Sequence, residues 1–290
     1  MKIVTDSGAD LTPEDIAETG VIVAPLMIQF PEGEKASSDM TPDEFYNRLT
    51  AMQPDIPTTA QPSGGMLWKI YEDAASTGED VLAIHISSGL SGTATTAQGA
   101  AERTEGGRVT IFDSLTLSGG QRFQVLTAVK ALQAGWSLER ILERLDALRK
   151  ATEVVFTLET LTYLQRGGRI GRVQALAGSL LNLKPVIHVN RADGKYDTVG
   201  RARGIKRAIE DLARHLSGLY PKEVPVWVSV MHGQAEAHAQ ALADLLHQSL
   251  NVAKIEILRV SPVLGVHTGP GIIGATITPM ALAEVEADAA

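Results

Sequence analysis

The sequence predicts an α/β protein of two domains, an N-terminal parallel-sheet α/β domain and a C-terminal mixed-sheet α/β domain. First, 290 residues are enough for two domains. Second, short apolar runs alternate with helical patterns in the first half, which indicates parallel strands covered on both faces. Third, the second half combines a hairpin signal with further αβ units, which indicates a mixed sheet. We expect a boundary near 155–165, giving domains 1–158 and 159–290, and the final strand is a candidate for packing back on the first domain.

Apolar β-branched runs mark the strands of the first half, and capping residues mark its helices. Thr12-Pro13 and Thr41-Pro42 each place an N-cap before a proline, and Asp15 and Glu44 complete capping boxes three residues beyond the caps. Two helices follow residue 115; the first ends at Gly135 and the second begins after Ser137. The predicted strands are KIVT (2–5), VLAIHI (81–86), RVTIF (108–112) and EVVFTL (153–158).

The second half opens with two strands joined at Asp193-Gly194, a strong hairpin signal. Helices are expected at 204–217 and 234–249, with strands at 224–231 and 254–260. The Ala/Glu-rich segment 279–290 is typical of a frayed terminal helix.

Composition excludes several classes of protein. The net charge of −8 and the 4% aromatic content argue against a nucleic-acid partner. No apolar run approaches the ~20 residues of a membrane helix, and the N-terminus lacks the apolar core of a signal peptide. We therefore expect a cytoplasmic protein with at most transient membrane contact. The absence of cysteine excludes disulfides and thiolate zinc sites.

Polar residues follow the predicted strands of the first half, at the sheet edge where ligands bind in open parallel sheets. Asp6 and Asp113 resemble paired catalytic carboxylates or metal ligands. Each is better interpreted as the cap of the helix or turn that follows. Two Asp-Ser pairs without a third ligand are a weak metal signal, and no metal site is expected.

Two loops are suited to an anion. In PTTAQPSGG (57–65), Ser63 is the natural N-cap of the next helix, whereas Thr59 has no such structural role and is the better ligand candidate. In SSGLSGT (87–93), Ser88 or Ser91 caps a helix and the glycines, Gly92 among them, form turns. Both roles are compatible with ligand binding, since a helix N-terminus attracts anions.

Two further segments offer charged or titratable groups. Arg166, Arg169 and Arg172 recur at three-residue spacing around a glycine pair; they serve either a helix C-terminus or, if one points inward, an anion. His267 lies in HTGPGIIG, whose GxGxxG occurs too near the C-terminus for a dinucleotide fold. The histidine is as much a site candidate as a structural residue.

An enzymatic alternative stays open at this point. A hydrolase could use Ser91 and His267 with Asp6 or Asp113, and a phosphotransfer enzyme could bind phosphate at SSGLSGT. No P-loop, nucleophile elbow or HExxH motif supports either alternative.

Several motifs in order resemble the DegV family over nearly the whole chain: TDS, TTAQPS, SSGLSGT, FDSLTLSGG, YLQRGGRIG, LKPV and HTGPG. The resemblance implies two α/β domains with a lipid pocket between them and a bound long-chain fatty acid, without a cofactor or catalysis by the chain alone. It also implies a partner, the kinase subunit of fatty acid kinase, which phosphorylates the acyl carboxylate for phospholipid synthesis.

By motif, the resemblance assigns head-group binding to Thr59 and Ser91, with Arg169 and His267 nearby. The candidate ligand set is completed by Ser63, Ser88 and Gly92. Two positions depart from the family pattern: Ala60 stands where serine is frequent, and Ala94 where tyrosine is frequent. Both departures are expected to alter the shape of the pocket rather than remove a ligand.

A basic cluster stands out in an otherwise acidic chain. It consists of Arg201, Arg203, Lys206 and Arg207. Such a run is usually a solvated helix face. The alternative is a docking surface for the kinase subunit.

Overall fold

The computed structural model describes residues 1–176 and 183–286. The strands are β1 (Lys2–Asp6), β2 (Ile22–Ala24), β3 (Met27–Phe30), β4 (Gly33–Ala36), β5 (Thr58–Ala60), β6 (Val81–His85), β7 (Val109–Asp113), β8 (Glu153–Thr157), β9 (Leu183–Val189), β10 (Tyr196–Arg203), β11 (Pro225–His232), β12 (Asn251–Arg259) and β13 (Ile273–Pro279). The α-helices are α1 (Pro13–Thr19), α2 (Pro42–Ala51), α3 (Gly64–Ala75), α4 (Thr93–Ala101), α5 (Ser118–Gln133), α6 (Leu138–Ala151), α7 (Thr162–Arg166), α8 (Ile205–Ser217), α9 (Glu236–Ser249), α10 (Pro262–Thr268) and α11 (Met280–Ala283).

Helices α1, α2 and α6 begin at the predicted caps. Thr12 and Thr41 each accept a hydrogen bond from the backbone three residues on, and both capping boxes are complete. Ser137 caps α6 after Gly135, which has a left-handed backbone with φ 81°. These ends are local in origin, because each cap satisfies an N–H group that has no partner inside its own helix.

The N-terminal half contains the predicted parallel sheet, with strand order β2-β1-β6-β7. Strand β6 is buried along its whole length, as expected for a central strand with helices on both faces. A small antiparallel sheet, β4-β3-β5, accompanies it and carries Thr59 in its edge strand β5.

The second sheet is mixed and six-stranded, in the order β10-β9-β8-β13-β11-β12. Strands β9 and β10 form the predicted hairpin, with antiparallel pairing on either side of the Asp193-Gly194 turn. Strand β11 is parallel to β12 and antiparallel to β13. The fold class is therefore confirmed: a parallel-sheet unit is followed by a mixed-sheet unit.

The expectation that 153–158 adds a strand to the parallel sheet is wrong. Strand β8 pairs antiparallel with β9 and β13 in the mixed sheet. Its apolar sequence could not distinguish the two, because a strand buried on both faces reads alike in either sheet. The last strand, β13, lies between β8 and β11. The division at residue 158 stays a prediction.

The expected terminal helix is much shorter than 279–290. Helix α11 has four residues, 284–286 are not helical, and 287–290 lie outside the described residues. The segment packs on the first half, since Trp136 Nε1 donates to the carbonyl of Glu286 at 2.9 Å. Within the described ranges, we find no helix with the length and apolarity to cross a membrane.

An apolar core joins the two halves and surrounds the candidate site. Ile28 of β3 and Phe45 of α2 contribute to it from the first half, and Phe156 of β8 and Val263 of α10 from the second. The other face of the mixed sheet packs on α8 and α9 through Val155, Leu212 and other side chains. The mixed sheet therefore separates two different environments.

Candidate ligand site between the two sheets

Four of the candidate residues converge on one cavity. Thr59 comes from β5, Ser91 from the turn before α4, Arg169 from the loop after α7, and His267 from α10. All four line a cavity of about 40 Å³ between the halves of the molecule. The structure thus brings together residues that are as much as 208 positions apart in sequence.

Thr59 and His267 form the centre of this group, with 2.8 Å between Thr59 Oγ1 and His267 Nε2. His267 Nδ1 has no hydrogen-bond partner among the described residues. A buried donor without a partner is rarer than a buried acceptor without one. We therefore assign the ring proton to Nε2, which donates to Thr59 Oγ1. The threonine hydroxyl is then free to donate its own proton to a ligand.

His267 is neutral at physiological pH. Burial, with the positive charge of Arg169 nearby, lowers the pKa of His267 from 6.5 to about 3. The ring is held closely, because a Cβ atom at Gly167 would lie 2.1 Å from Nδ1. The first glycine of QRGGR is therefore required for backbone approach, and the positive charge of the site comes from Arg169 rather than from His267.

Arg169 is the inward-facing arginine of the predicted three. Its Nε donates to the carbonyl of Leu90 at 3.2 Å and its Nη1 to that of Gly167 at 2.8 Å. Nη2 makes no hydrogen bond, and no carboxylate pairs with the guanidinium, within residues 1–176 and 183–286. Arg166 instead donates to the carbonyl of Pro54, and exposed Arg172 pairs with Asp193 and Asp197. Arg169 is therefore a half-buried cation with donor capacity left for an anion.

Ser91 lies at the N-terminus of α4, one residue before its N-cap Gly92. Its hydroxyl accepts from the Thr93 backbone N–H at 3.3 Å and pairs with the Thr93 hydroxyl at 2.8 Å. The turn is held by the hairpin of the second half: Ser87 Oγ donates to the carbonyl of Gly194 at 2.8 Å. Ser91 therefore combines a local capping role with a position on the cavity wall.

An apolar chamber of about 30 Å³ adjoins this polar cavity. The two share the side chains of Leu117, Tyr196 and Leu264. The rest of the chamber is mainly apolar and is lined by Val154, Phe156, Met231, Val260 and Ile272, among others. Cavity and chamber together hold only a few water molecules, so a longer ligand requires these side chains to move apart.

Three candidates lie outside the cavity. Ser63 is exposed and caps α3 by accepting from the Met66 N–H at 3.1 Å. Ser88 is exposed, and its backbone N–H donates to Asp113. Gly92 faces the side chain of Gln61, which a Cβ atom there would approach to 2.2 Å. Nothing in their geometry indicates ligand contact, and capping and close packing explain all three.

Sequence reasoning missed the residues that line both the cavity and the apolar chamber, above all Tyr196. This tyrosine is 5% exposed, and burial raises the pKa of its hydroxyl well above its ordinary value. It follows the predicted hairpin turn at a buried strand position, which was a usable signal of packing. Leu117 and Leu264 carry no signal in sequence beyond apolarity.

The structure does not bring Ser91, His267 and an aspartate together as a hydrolase triad. His267 Nε2 is paired with Thr59, and no acid within residues 1–176 and 183–286 orients Nδ1. Asp6 is instead bonded to His85, at 2.9 Å, and Asp113 accepts from the backbone N–H of Ser88 and Leu115. A histidine without an orienting carboxylate lacks the arrangement that activates a serine.

A larger groove of about 670 Å³ lies elsewhere, between α1 and β12, and is open to solvent. It is bordered by Asp10, Arg259 and Ser261. Asp6 lines it, but none of the seven candidate ligand residues does. The smaller cavity is the better site because hydroxyls, a neutral imidazole and a cation meet there beside an apolar chamber.

Comparison with known proteins places this arrangement in a family. The family model described as "Uncharacterised protein, DegV family" matches residues 1–280. A DegV domain-containing protein of Deinococcus radiodurans is 38% identical over 277 residues, covering 96% of this chain and 95% of its own. The chain belongs to the DegV family.

Two solved structures share the fold. A DegV family protein from Thermus thermophilus, described as binding fatty acid, is 34% identical with a TM-score of 0.89, covering 96% of this chain and 99% of its own. A stearic acid-binding protein from Eubacterium ventriosum is 27% identical with a TM-score of 0.86, covering 96% and 98%. The α/β fold is thus common to this chain and to two proteins described as fatty-acid-binding.

Proposed function

We propose that this DegV protein binds a long-chain fatty acid, with the carboxylate at Thr59, Ser91 and Arg169 and the acyl chain in the adjoining chamber. The observation that carries the proposal is the shared wall between an apolar chamber and a polar cavity whose cation, Arg169, has no carboxylate partner in the described part of the chain. The description of the Thermus and Eubacterium proteins as fatty-acid-binding supports the same ligand class.

The two parts of the site contribute differently to binding. Burial of about 14 methylene groups, at ~0.8 kcal/mol each, is worth roughly 11 kcal/mol before ordering costs. A hydrogen bond to a charged group adds on the order of 1.5–3 kcal/mol. The acyl chain therefore supplies most of the affinity. The polar group fixes orientation and offsets desolvation of the carboxylate.

The experiment is extraction of the purified protein followed by mass spectrometry. We expect about one fatty acid per chain in the wild type and a clear loss in Arg169→Ala. Arg172→Ala is the matched control, because Arg172 is exposed and paired with Asp193 and Asp197. An empty wild-type protein that hydrolyses an ester would instead favour the enzymatic alternative with Ser91 and His267.

In the full proposal the chain has no catalytic activity or cofactor of its own. It presents the carboxylate, in the cytoplasm, to a separate fatty acid kinase subunit that uses ATP. The basic cluster is the proposed docking surface. Arg201, Arg203 and Lys206 are exposed at the end of β10 and the start of α8, whereas Arg207 is paired with Glu210 at 2.9 Å. The first three charges are therefore those offered to a partner that carries nucleotide phosphates.

Charge reversal tests this docking surface. Arg201→Glu with Arg203→Glu should slow acyl-phosphate formation by a fatty acid kinase at least tenfold, without changing the amount of retained lipid. Lys222→Glu, at an exposed position before β11, is the control. Unchanged turnover in the double variant contradicts the docking surface, whereas loss of lipid would show that the substitutions act on the pocket instead.

A further inference from the structure

A second cluster of titratable side chains lies on the opposite face of the mixed sheet. Glu153 begins β8, His188 lies in β9, and His215 lies in the last turn of α8. Alternation along β8 directs Val154 and Phe156 to the apolar chamber, so Glu153 faces the helices. The sheet therefore separates this cluster from the fatty-acid site.

Both histidines lie within hydrogen-bond distance of the same carboxylate oxygen. His188 Nδ1 and His215 Nε2 each lie 2.8 Å from Glu153 Oε1. One ligand atom from each of the three residues lies within 4.8 Å of the others. The imidazole rings are 6.2 Å apart and nearly perpendicular, so their nitrogens converge on one point from two directions.

Glu153 is buried, and one of its two carboxylate oxygens lacks a hydrogen bond from the described residues. Its side chain is 1% exposed. Oε2 accepts no hydrogen bond from the described residues, although Arg191 Nε lies 3.4 Å away. A buried carboxylate with an unused oxygen favours a further cationic partner.

We propose that Glu153, His188 and His215 form a binding site for a divalent transition-metal ion, with Zn²⁺ as the best match. Two imidazole nitrogens and one carboxylate oxygen are the ligand set of many zinc sites with three protein ligands. Carboxylates with histidine also suit Cu²⁺ and Ni²⁺, whereas Mg²⁺ and Ca²⁺ prefer oxygen alone.

Zinc binding requires the ligand atoms to move. Ligands about 2.1 Å from a tetrahedral zinc ion lie roughly 3.4 Å apart. Each nitrogen must therefore move about 0.6 Å farther from Oε1 than its present 2.8 Å. His188 and His215 are 23% and 26% exposed, which gives the ion a route from solvent and leaves a fourth position for water. Each ring must carry its proton on the other nitrogen when the ion binds.

The site would join three elements that no disulfide can join in this cysteine-free chain. An ion held there cross-links β8, β9 and α8 and stabilises the mixed sheet by mass action. The three ligands are too far apart to be recognised in sequence, since His188 and His215 lie 35 and 62 residues beyond Glu153.

Titration of the full chain tests the proposal. Protein freed of metal with a chelator is titrated with Zn²⁺ by calorimetry, and Co²⁺ serves as a spectroscopic probe. We expect one Zn²⁺ per chain, a rise in melting temperature, and the visible absorption of tetrahedral Co²⁺. His188→Gln and His215→Gln should each weaken binding at least tenfold, because glutamine keeps a hydrogen-bond donor for Glu153 but removes the imidazole ligand. His247→Gln, at an exposed histidine of α9, is the control.

A further variant distinguishes a metal site from a purely structural hydrogen-bond network. Arg191→Gln removes a cation beside Glu153 and should tighten Zn²⁺ binding several-fold. The proposal is overturned if Zn²⁺ does not bind saturably, or if both glutamine variants bind as the wild type does. Circular dichroism and the melting temperature without metal establish that each variant is folded. If one histidine variant fails to fold, the other together with Arg191→Gln decides.

Discussion

Two buried histidines of this protein are held in opposite ways. His85 is fully buried in β6, with Asp6 Oδ2 at 2.9 Å from Nδ1 and the Tyr71 hydroxyl at 2.6 Å from Nε2. His267 is 8% exposed and has Thr59 on one nitrogen and no partner on the other among the described residues. Completed pairing is typical of a structural network, whereas incomplete pairing beside a cation and a cavity is the arrangement expected of the proposed ligand site.

Asp6, the partner of His85, uses all of its hydrogen-bonding capacity. Asp6 also accepts from the backbone N–H of Ile86 at 2.8 Å and of Gly8 at 3.0 Å, and from the Gln121 amide at 3.2 Å. All the lone pairs that an ionised carboxylate offers are in use. Such a network connects β1, β6 and α5 and leaves nothing for a ligand.

The largest expected effect is at Asp6. Asp6→Ala leaves His85 and buried backbone N–H groups unpaired, and should lower the free energy of unfolding by about 3–5 kcal/mol. His267→Ala removes one hydrogen bond and a smaller set of contacts, and should lower it by about 1–2 kcal/mol. Urea denaturation of the lipid-free proteins measures both. Equal losses at the two positions would break the distinction between a structural and a ligand-binding histidine.

Asp10 is a buried carboxyl whose effect on stability depends on pH. It accepts from the Ser118 hydroxyl and the Ser261 backbone, yet burial prevails over these bonds and over the charge of Arg122, and raises the pKa of Asp10 from 3.8 to about 6. The folded state therefore binds this proton more tightly than the unfolded state does. The resulting stabilisation is complete below pH 3.8 and is lost as the pH rises through about 6.

Comparison with Asp10→Asn isolates that loss. Between pH 4 and pH 7, the free energy of unfolding of the wild type should fall relative to Asp10→Asn by about 2 kcal/mol, since each pKa unit is worth about 1.4 kcal/mol and part of the full effect is already lost at pH 4. His267 acts in the opposite direction: its folded pKa of about 3 lies below the ordinary 6.5, so its contribution to stability rises with pH over that window. Parallel pH profiles for the two proteins would contradict the raised pKa of Asp10.

Sequence reasoning recovered features whose cause is local. The caps Thr12, Thr41 and Ser63 are each defined by a few adjacent residues, and so is the hairpin turn at Asp193-Gly194. The motif resemblance selected Thr59, Ser91, Arg169 and His267, which the fold brings to one cavity.

Features with a long-range cause were not recoverable. Strand β8 carries no local mark of which sheet it joins, because its partners β9 and β13 lie far along the chain. The sequence could not show that Arg169 rather than Arg172 faces inward. Arg172 pairs with Asp193 and Asp197, which lie more than 20 residues further along the chain. Tyr196 became a wall of the cavity only through the packing of the two halves.

The smallest effects separate a ligand hydroxyl from a capping hydroxyl within one loop. Thr59→Val keeps the shape of the side chain but removes the hydroxyl, and should weaken fatty-acid binding about tenfold or more, since a hydrogen bond to a charged group is worth about 1.5–3 kcal/mol. Ser63→Ala removes the cap of α3 and should lower the free energy of unfolding by about 1 kcal/mol without changing lipid affinity. A fluorescent fatty acid displaced by unlabelled ligand measures affinity, and urea denaturation measures stability. If Ser63→Ala weakens binding as much as Thr59→Val does, the carboxylate lies nearer the N-terminus of α3 than the cavity lining indicates.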